Sequence, residues 1–403
     1  MDKILLEMIS IATLAITVFG VAFCLLQTQY SRVSQSFAAF LAAIAVNNLP
    51  DAFSQLIGTL PQAYAFAADM ATWPSSFLLA PLFWLYVFVL TSQGQQWPTK
   101  LKRHAFLPVS ALVVTILTLA SPQTVREALS SSEPEFTAAW TLTLAALFTV
   151  LQLAVYPQIA IYLYLILRRL MNFRLKLRDV YASTEQHELR WIYVIGGLAI
   201  LFWITQALLL IFAFGSGESR STTAFLVIAS LAGFALVGAV TLWGLRQRPP
   251  LEPDGGDNPK PGKGQPTGKY EKSALSTEAS ERLSRKLRLA MEVDHLHRDP
   301  NLSLWALATH TGASANYISQ TLNEMIGKSF FDFVNGYRIA EAKTLLSTTN
   351  ESVLNITYDV GFNARSSFYN AFKRETGQTP TAYRKKMSQP EGMDDIKVPQ
   401  GDT

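Results

Sequence analysis

Arg365, Ser366, Tyr369, Asn370 and Lys373 combine a paired donor, a hydroxyl, an amide and a cation within one short stretch. On a helix they fall on one side, clear of the apolar edge formed by Phe368 and Phe372. Groups of this kind suit the recognition of bases and phosphates. An arginine can donate two bonds to guanine O6 and N7, worth about 1 to 3 kcal/mol of discrimination, and its polar neighbours can meet other base edges. Lys373, Arg374, Arg384 and Lys385 form a basic cluster suited to phosphate contact, which positions a protein on a duplex without specifying sequence.

Such a face needs a scaffold that presents it. Ile356 and Val360 fit a short helix just upstream, and Gly361 sits where the chain must turn, a place that often needs positive φ. The second helix begins after Asn363, and Gly377 and Pro380 end it. This is a helix-turn-helix pattern. A second copy lies upstream, with Ala308, Gly312, Ile318, Leu322, Gly327 and Ser329 in the places of Thr357, Gly361, Phe368, Phe372, Gly377 and Thr379. The later turn is one residue longer. Between the copies, Phe330, Phe333, Val334, Tyr337, Ala342, Leu345 and Leu346 make the apolar stripe of one connecting helix. Two reading helices held about one DNA turn apart, roughly 34 Å, would enter successive major grooves.

The run Arg338-Ile339, Ala342, Leu345, Leu346, Gly361-Phe362, Phe372-Lys373, Gly377, Thr379-Pro380 and Tyr383-Arg384 resembles the C-terminal signature of the AraC/XylS transcription regulators. The resemblance covers about the last quarter of the chain. It implies two helix-turn-helix units on a connecting helix, sequence-specific binding of double-stranded promoter DNA, RNA polymerase as a partner, and a bacterial source. Carried over by position, it points to Asn316 and Gln320 in the first unit and to Arg365, Ser366 and Asn370 in the second. Two positions depart from the family pattern: Thr357 replaces a small alanine, with looser helix packing expected, and Leu322-Asn323 stands where Phe-Lys commonly ends the first reading helix.

The rest of the chain has a different composition. Of 403 residues, 49% are hydrophobic and 16% charged, and the apolar ones concentrate before Arg246. The mean hydropathy is +0.19. Seven apolar stretches run roughly over 4–26, 36–57, 75–91, 104–120, 137–167, 191–214 and 223–245, most near or above the ~20 residues that cross a bilayer. The first is too long, and too large at its end, for a cleaved leader. Arg32, Lys100, Lys102, Arg103, Arg168, Arg169, Arg174, Lys176, Arg178, Arg190, Arg246 and Arg248 flank alternate connections, while Asp51, Asp69, Glu127, Glu133, Glu135 and Glu218 dominate the others. Positive-inside bias then places the N-terminus outside and the C-terminal half in the cytoplasm, and with the bacterial source that the resemblance implies, the apolar half is expected in the inner membrane.

The expected architecture is therefore all-α. A seven-helix transmembrane bundle occupies 1–246, a flexible Pro/Gly-rich cytoplasmic linker 247–275, a two-unit helix-turn-helix DNA-binding domain 276–388, and a disordered acidic tail 389–403. Polar residues at membrane depth are costly and mark sites. Asn47, Asn48 and Asp51, with Gln152, Tyr156 and Gln158 around Pro157, are the candidates for a pocket that takes a small-molecule or envelope signal, although the glutamines can equally bridge helices. Membrane lipid and a second copy of the chain are further expected partners, since paired half-sites raise effective concentration.

No cofactor and no catalysis are expected. Cys24 is the one cysteine, which rules out an intrachain disulfide or a thiolate cluster. His187 lies in a stretch like a histidine-kinase acceptor, but a further span follows where a nucleotide domain would be needed. His295 and His297 read as exposed polar residues at a helix end rather than metal ligands. The alternatives are a transporter or membrane enzyme with a DNA-binding appendage, which would need an ion-pair chain, a repeat or a catalytic cluster in the spans, and a regulator only anchored by its spans.

Overall fold

The computed structural model describes residues 2–28, 30–93, 96–130, 139–185, 188–216, 222–247, 251 and 277–388. The expected linker apart from Gln247 and Leu251, the tail after Ser388, and His187 lie outside the described residues. The chain forms two units: Met1–Met171 with Leu189–Glu252, and Asn172–Glu188 with Pro253–Thr403. The described elements are helical, apart from one isolated antiparallel bridge between Tyr181 and Ser303.

The first unit contains α1 (Asp2–Leu26), α2 (Ser31–Asn47), the short α3 (Leu49–Ala52) and α4 (Ser54–Gly58), α5 (Gln62–Thr72), α6 (Ser76–Leu90) and α7 (Phe106–Ala120). It continues with α8 (Gln123–Ser130), α9 (Ala139–Leu177, its last turns in the second unit), α10 (Arg190–Ser216) and α11 (Thr222–Arg246). Helix α1 packs on α2 and α11, and α2 on α6. The outer surface is apolar: α1 exposes Met8, Val18, Phe19 and Leu26, and α7 exposes Phe106, Val109 and Ile116. Some hydroxyls lie inside instead. Buried Thr13, Thr17 and Thr118 each bond the carbonyl four residues back in their own helix, which gives these hydroxyls a partner in an apolar interior. Gly244 permits a close helix crossing, because a Cβ there would lie 2.2 Å from the Phe37 ring.

Among the described residues, five helices are long and apolar enough to cross a membrane: Lys3–Leu26, Gln62–Leu90, Leu101–Ala120, Ala139–Leu177 and Leu226–Arg246. Arg190–Thr205 is apolar but shorter. The second expected run is split, because α2 stops at Asn47 after 17 residues and Pro50 opens a new short helix. The third begins earlier than expected, since α5 continues through the 3-10 turn Trp73–Ser75 into α6. Arg168, Arg169, Arg174 and Lys176, assigned above to a connection, lie within α9. Their unbranched stems favour helix. The Arg169 guanidinium bonds Thr91 Oγ1 at 2.9 Å and Ser92 Oγ at 2.8 Å, just past the end of α6, where a cation suits the helix dipole.

The second unit contains α12 (Thr277–Glu292), α13 (Leu304–Thr311), α14 (Ala315–Thr321), α15 (Phe330–Thr348), α16 (Val353–Asp359), α17 (Arg365–Thr376) and α18 (Pro380–Ser388). Serine caps open four of these helices: Ser303, Ser314, Ser329 and Ser352 each accept a backbone N–H three residues on. Two apolar cores result. Leu287, Met291, Leu307, Ile318, Leu322, Phe330 and Val334 fill the first. Ile339, Ala342, Leu346, Ile356, Val360, Phe368 and Phe372 fill the second. Helix α15 contributes its early turns to one core and its later turns to the other, so the stripe seen in the sequence fixes both helix-turn-helix cores to one rod.

Candidate nucleic-acid interface

Each helix-turn-helix pairs a supporting helix with a second helix, α13 with α14 and α16 with α17. Gly312 (φ +66) precedes the cap Ser314, and Gly361 (φ +94) precedes the cap Ala364, so the second turn carries the additional residue. Gly361 has two reasons to be glycine: its φ, and a backbone neighbour, since the His297 carbonyl would stand 2.5 Å from any Cβ. The buried Thr357 bonds the Val353 carbonyl at 2.7 Å. Its hydroxyl is therefore satisfied within the helix.

In α17, Phe368 and Phe372 are fully buried, while Arg365, Ser366, Asn370 and Lys373 are exposed together. Arg365 lies over the Tyr369 ring at 4.9 Å and donates to its hydroxyl at 3.2 Å. These contacts hold the guanidinium near the helix start. The Thr381 and Arg365 hydrogen bonds also draw the Tyr369 hydroxyl below its ordinary pKa. Ala364 has cap geometry but no side chain to accept a bond, so the first amide groups of α17 differ from those of the four serine-capped helices. In α14, Asn316 is exposed, and Gln320 donates to Glu324 at 3.0 Å.

The basic cluster is less uniform than its sequence. Lys373 and Lys385 are exposed. Arg374 pairs with Asp332 of α15 at 3.0 Å, and Arg384 is half-buried, with Nε 3.4 Å from the Leu346 carbonyl. Both arginines thus bind the connecting helix.

Several residues central to the unit were not identified from the sequence. Arg338, noted above only as part of the signature, is fully buried. Its Nε donates to the His297 carbonyl and its Nη2 to the Asp299 carbonyl, both at 2.7 Å, and its Nη1 to Ser183 Oγ at 3.0 Å. Desolvation lowers its pKa to about 10, well above neutrality, so it stays charged. His297 is buried, contrary to the exposed position expected: its ring bonds the Met291 carbonyl at 2.9 Å and Glu341 at 2.6 Å. Burial would raise the Glu341 pKa, but hydrogen bonds from Arg298 and His297 outweigh it and hold the carboxyl below its ordinary value.

The membrane-depth candidates mostly join helices. Asn48 Nδ2 donates to the Ser10 carbonyl at 2.6 Å, and Gln152 accepts from the Trp73 indole at 3.3 Å. Tyr156 packs edge-on against Trp203. Gln158 is buried and donates to the Phe77 carbonyl at 2.9 Å. The reason lies four residues after Phe77: Pro81, inside α6, has no N–H to meet that carbonyl. Asn47 is half-buried at the end of α2, and Asp51 is exposed on α3.

The fold and site thus define a double helix-turn-helix domain. A family model described as a helix-turn-helix domain matches residues 307–386. An uncharacterized HTH-type transcriptional regulator of Staphylococcus aureus strain COL is 39% identical over 90 residues, 22% of this chain and 12% of that protein. The melibiose operon regulatory protein of Escherichia coli K12 is 29% identical over 119 residues, 30% of this chain and 38% of that protein. The chain therefore matches well under half the length of these relatives. Among solved structures, the C-terminal domain of the two-component response regulator yesN from Fusobacterium nucleatum is 26% identical. It covers 26% of this chain and 98% of its own, with a TM-score of 0.24. The C-terminal domain of AraT, a response regulator from Geobacillus stearothermophilus, is also 26% identical, over 30% of this chain, with the same TM-score. The C-terminal domain is an AraC-type helix-turn-helix domain.

Proposed function

We propose that the chain is a membrane-embedded one-component transcription regulator of a bacterial inner membrane. Its two helix-turn-helix units read promoter DNA on the cytoplasmic side, and its spans receive a small-molecule or envelope signal. The observation that carries this reading is a single chain joining an exposed polar reading face, Arg365, Ser366, Asn370 and Lys373, to a set of helices that are apolar on the outside.

In this reading Arg365, Ser366, Asn370, Asn316 and Gln320 meet base edges, while Lys373, Lys385, Arg374 and Arg384 meet phosphate. Of these, Arg374 must first be released from Asp332 or reach the backbone with its free edge. Seven spans, the flexible linker over 247–275, a homodimer and contact with RNA polymerase complete the reading. They are supported by the charge bias of the connections, the Pro/Gly-rich composition of the linker, the gain in effective concentration from paired half-sites, and the family resemblance.

Genome-wide mapping of DNA crosslinked to the intact protein in its host tests the proposal. Recurrent binding upstream of a small set of genes, with altered expression of those genes on deletion, is expected. A uniform, sequence-blind signal would refute it.

A further inference from the structure

The C-terminal unit includes a segment that belongs, by sequence, to the apolar half. Residues 172–188 run from the end of α9 to the start of α10, and they are part of the second unit. Their contacts there are of the kind that complete a domain. The Leu304 N–H donates to the Val180 carbonyl at 2.8 Å, the Ala182 N–H to the Leu302 carbonyl at 3.1 Å, and the Phe331 N–H to the Arg178 carbonyl at 2.9 Å. Asn335 Nδ2 donates to the Ala182 carbonyl at 3.0 Å. Ala182 is buried in the first apolar core, and Tyr181 meets the Trp305 ring edge-on.

We infer that residues 178–183 form a strap of the DNA-reading unit through which the apolar helices α9 and α10 control the placement of both reading helices. This inference rests on the regulator reading above. Two routes lead from the strap to the second reader. In the first, Arg178 and Arg374 each stand 3.0 Å from the same oxygen of Asp332, so a carboxylate on the connecting helix joins the strap to α17. Asp332 is itself held by Ser329 Oγ at 2.8 Å, so it cannot follow one arginine without loosening from the other. In the second, Arg338 holds Ser183 and, by its other donors, the carbonyls of His297 and Asp299. The His297 carbonyl is the group that abuts Gly361 in the second turn. The first helix-turn-helix is reached directly, because the strap bonds Leu302 and Leu304, at the start of α13. Undocking the strap would remove the hydrogen bonds and the ion pair at once, and leave a fully buried arginine with fewer partners.

Reciprocity gives the test: if docking favours DNA binding, DNA must favour docking by the same factor. Hydrogen exchange is measured on the full chain in lipid nanodiscs, alone, with a mapped target duplex, and with an unrelated duplex. Strap amides protected in the free protein, and slowed severalfold further by the target duplex only, are expected. Arg178→Ala should speed exchange across 178–183 and 302–304 and lower target affinity about tenfold. Arg178→Lys, which keeps a cation for Asp332, should restore most of it, and so separates loss of the contact from loss of the fold. Lys102→Ala, in another basic connection, should change neither readout. Strap amides that exchange like free peptide, or an Arg178→Ala strap that loosens with affinity unchanged, would overturn the inference. A wild-type chain that binds no duplex while its strap stays protected would remove the regulator reading and the relay with it, an outcome distinct from a strap that never docks.

Discussion

The two units arrange apolar and polar groups in opposite ways. In the first, large apolar side chains such as Phe19, 63% exposed, lie outside, while Thr17 and Gln158 lie within. In the second, Phe368 and Phe372 are sealed in and Arg365, Asn370 and Lys373 face out. The same physics gives both patterns once the solvent differs. A polar group needs a partner where water is absent, and an apolar group needs cover only where water is present. Under the membrane-embedded reading proposed above, the contrast suits one unit to lipid and the other to water.

Paired substitutions can break that contrast. The largest effect is expected for Phe368→Ala, which should cost the second unit about 3 to 5 kcal/mol by leaving a cavity in its core; chemical denaturation of the full chain, followed by a probe in that unit, measures it. Phe19→Arg comes next. In water an exposed substitution changes stability by about 0.5 kcal/mol or less, whereas near the middle of a bilayer span it should cost about 2.5 to 3.5 kcal/mol, read as lost membrane insertion. Insertion at the wild-type level would show that the exposed apolar face meets no lipid.

Smaller effects sharpen the account of the water-facing unit. Arg365→Ala should lose about 1 to 3 kcal/mol at one base position and relax preference there. Lys385→Ala should weaken all sequences alike and lower the salt slope by about one. Binding titrations on a panel of single-base variants separate the two. Ala364→Ser should stabilise the unit by about 1 kcal/mol by supplying the missing cap, seen as a raised melting temperature. The last effect is read as a pH slope. Because the Glu341 carboxyl is held below its ordinary value, it contributes stability that is present above the ordinary carboxylate range and lost as pH falls through its lower, folded value. Melting curves from neutral to acid pH should show that loss, and Glu341→Gln should flatten it.

What the sequence made legible was local. Periodicity placed Phe368, Phe372, Ile318 and Leu322 in cores, glycines marked both turns, and the spacing after Asn363 put Arg365, Ser366 and Asn370 on one exposed side. What it hid was partnership across long separations. Nothing near Arg338 announces that its donors meet Ser183, 155 residues away, or that Asp332 already engages Arg374. His297 sits in a polar stretch that looks exposed, and only Glu341 on another helix explains its burial. The apolar run over 137–167 understates α9, because basic residues end an apolar run while helix propensity carries the helix on to Leu177. Gln158 stands out in the sequence for its cost at membrane depth, and its contact is with the carbonyl that Pro81 leaves without an N–H.

The placement of the DNA-reading unit beside its DNA is the claim on which the rest depends. Alkaline phosphatase, active only outside the cytoplasm, and a fluorescent protein that folds inside it can each be fused after Arg246, beyond α11. Fluorescence with little phosphatase activity is expected. High phosphatase activity without fluorescence would contradict the account, because helices that face away from the chromosome have no promoter to bind.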